Sequence, residues 1–184
     1  NINNDELDLV TFSDEEGIVN VQDYFQENGT AYLVMDFLDG ENLKEYVSRH
    51  GVFAFDKLVT LLLPVMKGLK DMHAKGVIHR DISPDNIILT KKGQLKLTDF
   101  GSANDFTDDS RTKAVVLKQG YAPEEQYHAD SVQGPYTDIY ALCATIYYCI
   151  TGETPVPATE RIPTDTLRRP SQLAADIRPS QEKA

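Results

Sequence analysis

The sequence predicts an α+β fold in which a small pair of strands precedes a mostly helical body. Two segments rich in β-branched and aromatic residues, GIVNVQDYF and TAYLVMDFL, flank Asn28 and Gly29, a pattern typical of an antiparallel hairpin. Between Phe55 and Ala74, apolar residues recur at spacings of three and four, which indicates a long amphipathic helix. A nearly continuous apolar run, DIYALCATIYYCI, indicates a buried helix later in the chain.

The remaining elements follow from local signals along the chain. Residues 1–12 are expected to form the end of a helix, and DGENLKEYV is expected to begin a short one. Gly76 follows the long helix as a C-terminal cap would. The segment NIILTKKGQLKLTDFG predicts a second hairpin that turns at Lys92 and Gly93. Residues 102–120 are polar and without period, which predicts a long surface loop.

Composition limits the class of protein. The chain has 184 residues, of which 41% are hydrophobic, enough for one globular domain with a core. Its net charge of −11 and its lack of a basic cluster argue against a nucleic-acid partner. The apolar runs are far shorter than the ~20 residues of a bilayer span, so no membrane segment is predicted here. Cys143 and Cys149 lack metal-ligand spacing and are expected to be buried, reduced thiols of a cytoplasmic protein.

Three short motifs carry the candidate chemistry. An HRD triplet ends at Asp81 and is followed by Asn86, a DFG triplet begins at Asp99, and an APE triplet ends at Glu124. Each triplet is weak evidence alone, but their order and the strand pair between them make the combination specific. Carboxylate and amide oxygens are suited to Mg²⁺, and the hairpin that joins Asn86 to Asp99 would bring both to one end of the strand pair.

With these motifs the chain resembles the eukaryotic-type (Hanks-type) Ser/Thr protein kinases, and HRDISPDN and GYAPEEQY are similar to bacterial members. The resemblance implies a protein-kinase-like fold, mainly the helical C-lobe with a remnant β-hairpin of the N-lobe. It implies an N-lobe remnant over residues 1–38 and a partial C-lobe over 39–184. Within the C-lobe it implies a catalytic loop at 77–89, an activation segment at 99–124 and helix F at about 137–151.

The resemblance also implies an activity, the transfer of the γ-phosphate of ATP to Ser/Thr hydroxyls of a protein substrate. Asp81 would act as the base, and Asn86 and Asp99 would hold magnesium. Arg80 would pair with a phosphate on the activation loop. The candidate phosphate acceptors on that loop are Thr107, Ser110 and Thr112. Asp138 would hold the backbone of the HRD turn.

Further residues are implied at the nucleotide. Met35 would be the gatekeeper, and backbone groups of Asp36 and Leu38 would bond the purine edge. Asn42 would contact the ribose, and Ile88 would form the apolar floor under the base. Ser83 is placed near the transferred phosphate, at a position where Ser/Thr kinases usually carry a lysine.

The chain also departs from the family pattern. The 184 residues contain neither a glycine-rich phosphate loop nor a VAIK-like strand with its lysine, so on their own they are expected to transfer phosphate weakly or not at all. The helix C acid that would pair with that lysine is either Asp5 or Glu6. Surfaces that later helices would cover are expected to favour self-association.

Two other functions stay open on the sequence. A pseudokinase-like or truncated scaffold that binds partners would fit the departures at the N-lobe and at Ser83. A small-molecule phosphotransferase of the aminoglycoside or choline type would share the Asp–Asn–Asp chemistry. The APE segment and the long loop before it argue against the second alternative, because those families generally lack this platform for a peptide substrate.

Overall fold

The computed structural model describes residues 16–28, 30–100, 104–105, 117–128, 130–173 and 175–182. The strands within them are β1 (Val21–Glu27), β2 (Thr30–Met35), β3 (Gly40–Asn42), β4 (Val77–Ile78), β5 (Ile87–Thr90), β6 (Leu95–Leu97) and β7 (Asn104–Asp105). The helices are α1 (Leu43–His50), α2 (Phe55–Ala74), α3 (Pro135–Thr151), α4 (Ala158–Arg161) and α5 (Pro179–Glu182). Short 3-10 turns lie at Pro84–Asn86, Glu124–Tyr127 and Pro170–Leu173.

The first predicted hairpin is confirmed. Strands β1 and β2 pair antiparallel, from Glu27 opposite Thr30 to Val21 opposite Met35. Asn28 has a φ of 53°, the left-handed conformation that a tight turn requires and that asparagine tolerates. Its turn partner Gly29 lies outside the described residues, as do the helix predicted at 1–12 and both candidate helix C acids, Asp5 and Glu6.

The long amphipathic helix is also confirmed, with the predicted bounds. Its apolar stripe forms much of the core through Leu58, Leu62, Val65, Leu69 and Met72, all of them buried. Gly76 follows the helix with a φ of 82°, a conformation that glycine adopts without strain, and its N–H donates to the carbonyl of His73. The helical body of the fold is built around α2.

The segment before β1 is locked into that body by two close approaches. A Cβ on Gly17 would lie 2.1 Å from the carbonyl carbon of Pro64 in α2, and a Cβ on Gly68 would lie 2.5 Å from Ile18. The same segment bonds to β6, since the N–H of Val19 donates to the carbonyl of Leu97. The first hairpin therefore starts from a fixed point on α2.

The second hairpin is confirmed with its turn, since β5 pairs with β6 and Gly93 has a φ of 77°. Three short strands were not predicted: β3, β4 and β7. β3 adds to the free edge of β5, with Asn42 opposite Ile88. β7 pairs with β4, although the sequence predicted only loop at this point. Runs of two or three residues are too short to show an alternating pattern, so their pairing is set by the neighbouring strand.

The apolar helix predicted near the end of the chain forms as α3, but it is not buried all round. Ile139 is 50% exposed, and Cys143 is exposed while Cys149 is buried. The prediction that both thiols are buried is therefore wrong for Cys143. This residue faces a groove of about 440 Å³ between α2 and α3 instead of the core. Among the described residues no helix combines the length and the apolar character needed to cross a membrane.

Candidate active site

A buried carboxylate organises the HRD turn. Asp138 lies in the first turn of α3 and is fully buried. Its Oδ2 accepts a hydrogen bond from the backbone N–H of His79, and its Oδ1 accepts one from that of Arg80, both at 2.8 Å. The Nε2 of His73 lies 2.8 Å from the same Oδ2. Arg80 has a φ of 69°, and these bonds hold its backbone in that strained conformation.

The ring of His79 connects this turn to the strand that leads to Asp99. Its Nε2 lies 3.1 Å from the carbonyl oxygen of Thr98, and its Nδ1 accepts from the N–H of Asp81 at 3.3 Å. These two partners specify the neutral tautomer with the proton on Nε2. Burial lowers the pKa of His79, although the nearby Asp138 carboxylate acts in the opposite direction. The Phe100 ring packs edge-on, with the ring centres 5.1 Å apart.

Asp81 and Asn86 are joined directly. The Nδ2 of Asn86 donates to both the backbone oxygen and the Oδ2 of Asp81, each at 2.8 Å. The 3-10 turn at Pro84–Asn86 makes this possible by folding the chain back over the four residues between them. Because both bonds use the amide nitrogen, the orientation of the side chain is fixed and the amide oxygen is the atom left for a metal.

Asp99 lies at the same end of the β5–β6 hairpin. The N–H of the preceding residue, Thr98, donates to the carbonyl of Asn86 at 2.9 Å. Asp99 is exposed and has a φ of 68°, a second strained residue at this site. The structure thus brings together three residues that the sequence singled out, Asp81, Asn86 and Asp99.

Lys118 is a member of the site that the sequence reasoning missed. Its Nζ lies 3.0 Å from the Oγ of Ser83 and 3.1 Å from the Oδ2 of Asp81. Ser83 is fully buried, so its hydroxyl meets this ammonium group and not an open phosphate site. The direct phosphate contact expected of Ser83 is therefore not available in this arrangement. The only feature of the sequence that could have pointed to Lys118 is Ser83 itself. Ser/Thr kinases usually carry a lysine at that position, so its positive charge had to come from another residue.

Arg80 makes a different set of contacts. It is buried, and its Nε donates to the Oε1 of Gln133 at 3.0 Å. Its carbonyl accepts from the Nε2 of Gln126 at 2.9 Å. Burial lowers the pKa of its guanidinium group, opposed by the Asp138 carboxylate. The predicted phosphate acceptors of the loop lie outside the described residues: Thr107, Ser110 and Thr112.

The predicted purine linker begins at the end of β2. The N–H of Asp36 donates to the carbonyl of Asn20 at 2.9 Å, so its carbonyl oxygen is the backbone group left for a purine. The side chain of Met35 is half-buried against the core, and its Sδ accepts from the Oγ1 of Thr98 at 3.5 Å. This contact places the predicted gatekeeper next to the residue before Asp99.

The remaining nucleotide residues lie on paired elements. Leu38 packs half-buried against the core. Asn42 and Ile88 are opposite each other in β3 and β5, so the structure brings this predicted pair together. The Oδ1 of Asn42 accepts from the N–H of Glu45 at 2.8 Å and caps α1. That bond uses the oxygen and leaves only the amide nitrogen of Asn42 for a ribose.

The APE segment contacts α3 through Glu125, the residue directly after the triplet, and not through Glu124. Glu124 is exposed and lies 3.9 Å from His128. Glu125, by contrast, has its Oε1 2.8 Å from the Oγ1 of Thr137, a buried residue in the first turn of α3. The structural contact to α3 is therefore made by the next residue along the chain.

The comparison with known proteins decides the family. Residues 2–182 match the model of the protein kinase domain. The chain belongs to the protein kinase family. Within that family it resembles the Hanks-type serine/threonine-protein kinases, including bacterial ones.

The chain is similar to serine/threonine-protein kinases from both a yeast and bacteria. It is 32% identical to the serine/threonine-protein kinase STE20 of Debaryomyces hansenii, over 94% of this chain and 17% of the relative. It is 35% identical to serine/threonine-protein kinase F of Synechocystis, over 67% of this chain and 26% of the relative. It is 33% identical to a probable serine/threonine-protein kinase PknB of Corynebacterium glutamicum, over 84% of this chain and 26% of the relative. The chain thus spans about a quarter or less of these kinases.

Proposed function

We propose that this chain is the catalytic core of a protein kinase that transfers the γ-phosphate of ATP to Ser/Thr hydroxyls of proteins. The observation that carries the proposal is the hydrogen bond between Asn86 and the Asp81 carboxylate, with Asp99 directly after Thr98, whose N–H donates to the carbonyl of Asn86. A base and two oxygen ligands for a cation then lie within one small cluster, which is the set that phosphoryl transfer needs.

In the proposed reaction, the oxygen of the substrate hydroxyl attacks the γ-phosphorus. The bond from that phosphorus to the β,γ-bridging oxygen breaks, and ADP leaves with the electron pair. The hydroxyl proton goes to the carboxylate of Asp81. The bonds from Asn86 and from the N–H of Asp81 to His79 fix the position of this carboxylate, so it is oriented before the substrate arrives.

The proposed magnesium ligands are the amide oxygen of Asn86 and the carboxylate of Asp99. Magnesium in such sites is usually held by one or two protein oxygens together with the substrate phosphates, so the set is of ordinary size. When bound, magnesium would neutralise phosphate charge during transfer. No group of three or more His, Cys, Asp or Glu residues able to hold a metal occurs within the described ranges.

The purine is proposed to bind along the linker after β2. The carbonyl of Asp36 and the backbone of Leu38 would bond its edge, Met35 would close the inner end, and Ile88 would lie under the ring. Support comes from the pairing of Asn42 with Ile88, which brings the proposed ribose contact to the proposed floor.

Residues 1–38 are proposed to be the N-lobe part and 39–184 the C-lobe part, acting on ATP and a protein substrate in the cytoplasm. No glycine-rich loop or strand lysine occurs among these 184 residues. Fixed charges at a reacting group typically contribute ~3 kcal/mol or more each. On their own, these residues are therefore proposed to bind the nucleotide and to transfer phosphate weakly.

A calorimetric titration with ATP tests the proposal. We expect binding with Mg²⁺ that weakens at least several-fold in EDTA, because Asn86 and Asp99 contact the nucleotide through the ion. The variant Asn86→Ala should lose this magnesium dependence. Asp85→Ala is the matched control, since Asp85 belongs to the same 3-10 turn but pairs outward with Lys44. Binding that ignores magnesium in the unmodified chain would instead favour a scaffold without catalysis.

A further inference from the structure

The ammonium group of Lys118 lies directly against the proposed base. We propose that Lys118 contacts the transferred phosphoryl group, so that this cation comes from the segment after the activation loop and not from the catalytic loop. The proposal rests on the proposed function, because it assigns a charge to the same phosphate site. Its starting point is the pair of distances from Nζ, 3.1 Å to Asp81 and 3.0 Å to Ser83.

Ser83 and Lys118 are complementary. Ser/Thr kinases usually carry a lysine two residues after the base, and this chain has Ser83 there. The serine is short and offers an acceptor, so the ammonium group of Lys118 can occupy the space beside Asp81. A lysine at both positions would place two positive charges against one carboxylate, which is unfavourable. Ser83 and Lys118 together therefore place a single positive charge beside the Asp81 carboxylate.

The backbone that carries Lys118 is held firmly. Its carbonyl accepts hydrogen bonds from the N–H groups of Tyr121 and Ala122, both at 3.0 Å. Gly120, with a φ of 85°, packs so closely that an added Cβ would lie 2.6 Å from both Thr154 and Pro155. Tyr121 is buried next to it. The Cα of Lys118 is therefore fixed in position, and only its side chain adjusts to a ligand.

The side chain is placed for an anion in solution to reach it. It is 31% exposed, whereas that of Asp81 is 16% exposed, so the ammonium group lies at the open side of the pair. Within the described residues, Lys118 supplies the one ion pair to the Asp81 carboxylate, and the Nε of Arg80 is engaged by Gln133. A flexible point charge suits a phosphoryl group whose oxygens move during transfer.

The test is the preference of the chain for ATP over ADP in magnesium, measured by calorimetry. A lysine that contacts only the γ-phosphate affects ATP and leaves ADP nearly unchanged. Lys118→Met should therefore weaken ATP binding by about tenfold, and Lys118→Arg should retain most of it. Phosphoryl transfer to a generic protein substrate, measured with labelled ATP, should fall on the order of a hundredfold in Lys118→Met. Lys57→Met, at an exposed site in the first turn of α2, is the control.

A relocated pair provides the second arm. The double variant Ser83→Lys with Lys118→Ser returns the lysine to the catalytic loop and should recover the ATP preference, while Ser83→Lys alone should not exceed the unmodified chain. If Lys118→Met fails to fold, this double variant decides: a kept preference supports the proposal, and a lost one overturns it.

The remaining outcomes separate the two proposals. If the unmodified chain does not bind ATP in a magnesium-dependent way, both this proposal and the proposed function are overturned. If it does, and Lys118→Met keeps the same ATP preference, only the role of Lys118 is overturned. Faster transfer or tighter ATP binding in Lys118→Met would mean that the lysine blocks the base, which also contradicts the proposal.

Discussion

The Nε2 of His79 lies 3.1 Å from the carbonyl oxygen of Thr98, so one imidazole ring joins the turn that carries Asp81 to the residue directly before Asp99. The opposite nitrogen of the ring accepts the N–H of Asp81. Both bonds require a neutral ring with its proton on Nε2. The relative position of the proposed base and the proposed metal ligand thus depends on the protonation of one buried side chain.

The first prediction concerns pH. Burial lowers the pKa of His79 below its ordinary value of 6.5, so the folded chain keeps the ring neutral where the unfolded chain takes up a proton. The unfolded state then binds more protons, and the free energy of unfolding should decrease as the pH falls below 6.5. The slope from this one group approaches about 1.4 kcal/mol per pH unit.

Urea unfolding at pH 7.5, 6.5 and 5.5, roughly spanning the ordinary histidine range, measures this slope. His79→Phe removes the titrating group and should flatten the curve in this range. His50→Gln, a change at an exposed histidine, should leave the slope of the unmodified chain in place. An unchanged slope in His79→Phe would show that another group is responsible.

The second prediction concerns Asp138. Its carboxylate accepts from two backbone N–H groups, those of His79 and Arg80, in a site without solvent. Asp138→Ala leaves both donors buried and unpaired and should lower the free energy of unfolding by about 3 kcal/mol or more. Denaturant unfolding provides the measurement, with Asp130→Ala at an exposed site as the control. A loss below about 1 kcal/mol would contradict the role given to this carboxylate.

The third prediction compares two glycines that share a left-handed φ. Gly120→Ala introduces a Cβ 2.6 Å from Thr154 and Pro155, whereas at Gly93 no atom lies within 4 Å of such a Cβ. Both changes cost about 1 kcal/mol from the backbone conformation. Gly120→Ala should cost a further 1–3 kcal/mol, roughly, from the clash. Because the turn carries Lys118, it should also reduce ATP preference, and Gly93→Ala should not; equal effects in both variants would refute the packing argument.

The fourth prediction concerns the thiols. Cys143 is exposed in the groove between α2 and α3, although partial burial there also raises the pKa of its thiol, whereas Cys149 is buried and burial raises its pKa to about 12. The thiolate is the reactive form, so a colorimetric thiol reagent at about pH 8 should modify one thiol in the folded chain, Cys143, more slowly than a free cysteine with its pKa of roughly 8.5. Cys143→Ser should abolish this reaction until denaturant is added. Modification of both thiols in the native chain, before denaturant is added, would contradict the structure.

The sequence predicted those parts of the fold that have long periods or strong turn residues. The helix from Phe55 to Ala74 repeats its apolar spacing over five turns or so, and the hairpin at Gly93 has a glycine where φ is positive. The sequence also singled out Asp81, Asn86 and Asp99 as candidate site residues, because the spacing of their motifs along the chain is itself the signal. The contacts of Asn86 with Asp81 and with the residue before Asp99 show that the three lie close together, while their roles stay predictions.

Other features depend on contacts between distant segments. Lys118 meets Ser83 across 35 residues of chain, and no local pattern marks this pair. The exposure of Cys143 depends on which neighbours cover α3, and periodicity within α3 does not contain that information. Glu125, and not its neighbour Glu124, contacts α3 because the 3-10 turn at Glu124–Tyr127 determines which side chain faces Thr137. A one-residue difference of this kind is decided by three-dimensional packing.

The close fit of Ile18 against Gly68 has a mechanical consequence. Ile18 occupies the space that any side chain larger than hydrogen at position 68 would need, and Gly17 lies as close to Pro64 one turn earlier on α2. Together these contacts fix the start of the first hairpin on α2, so that any movement of the hairpin relative to the helical body would be a rotation about this buried point. Because the proposed purine linker continues from β2 of this hairpin, such a rotation would move the linker relative to α2.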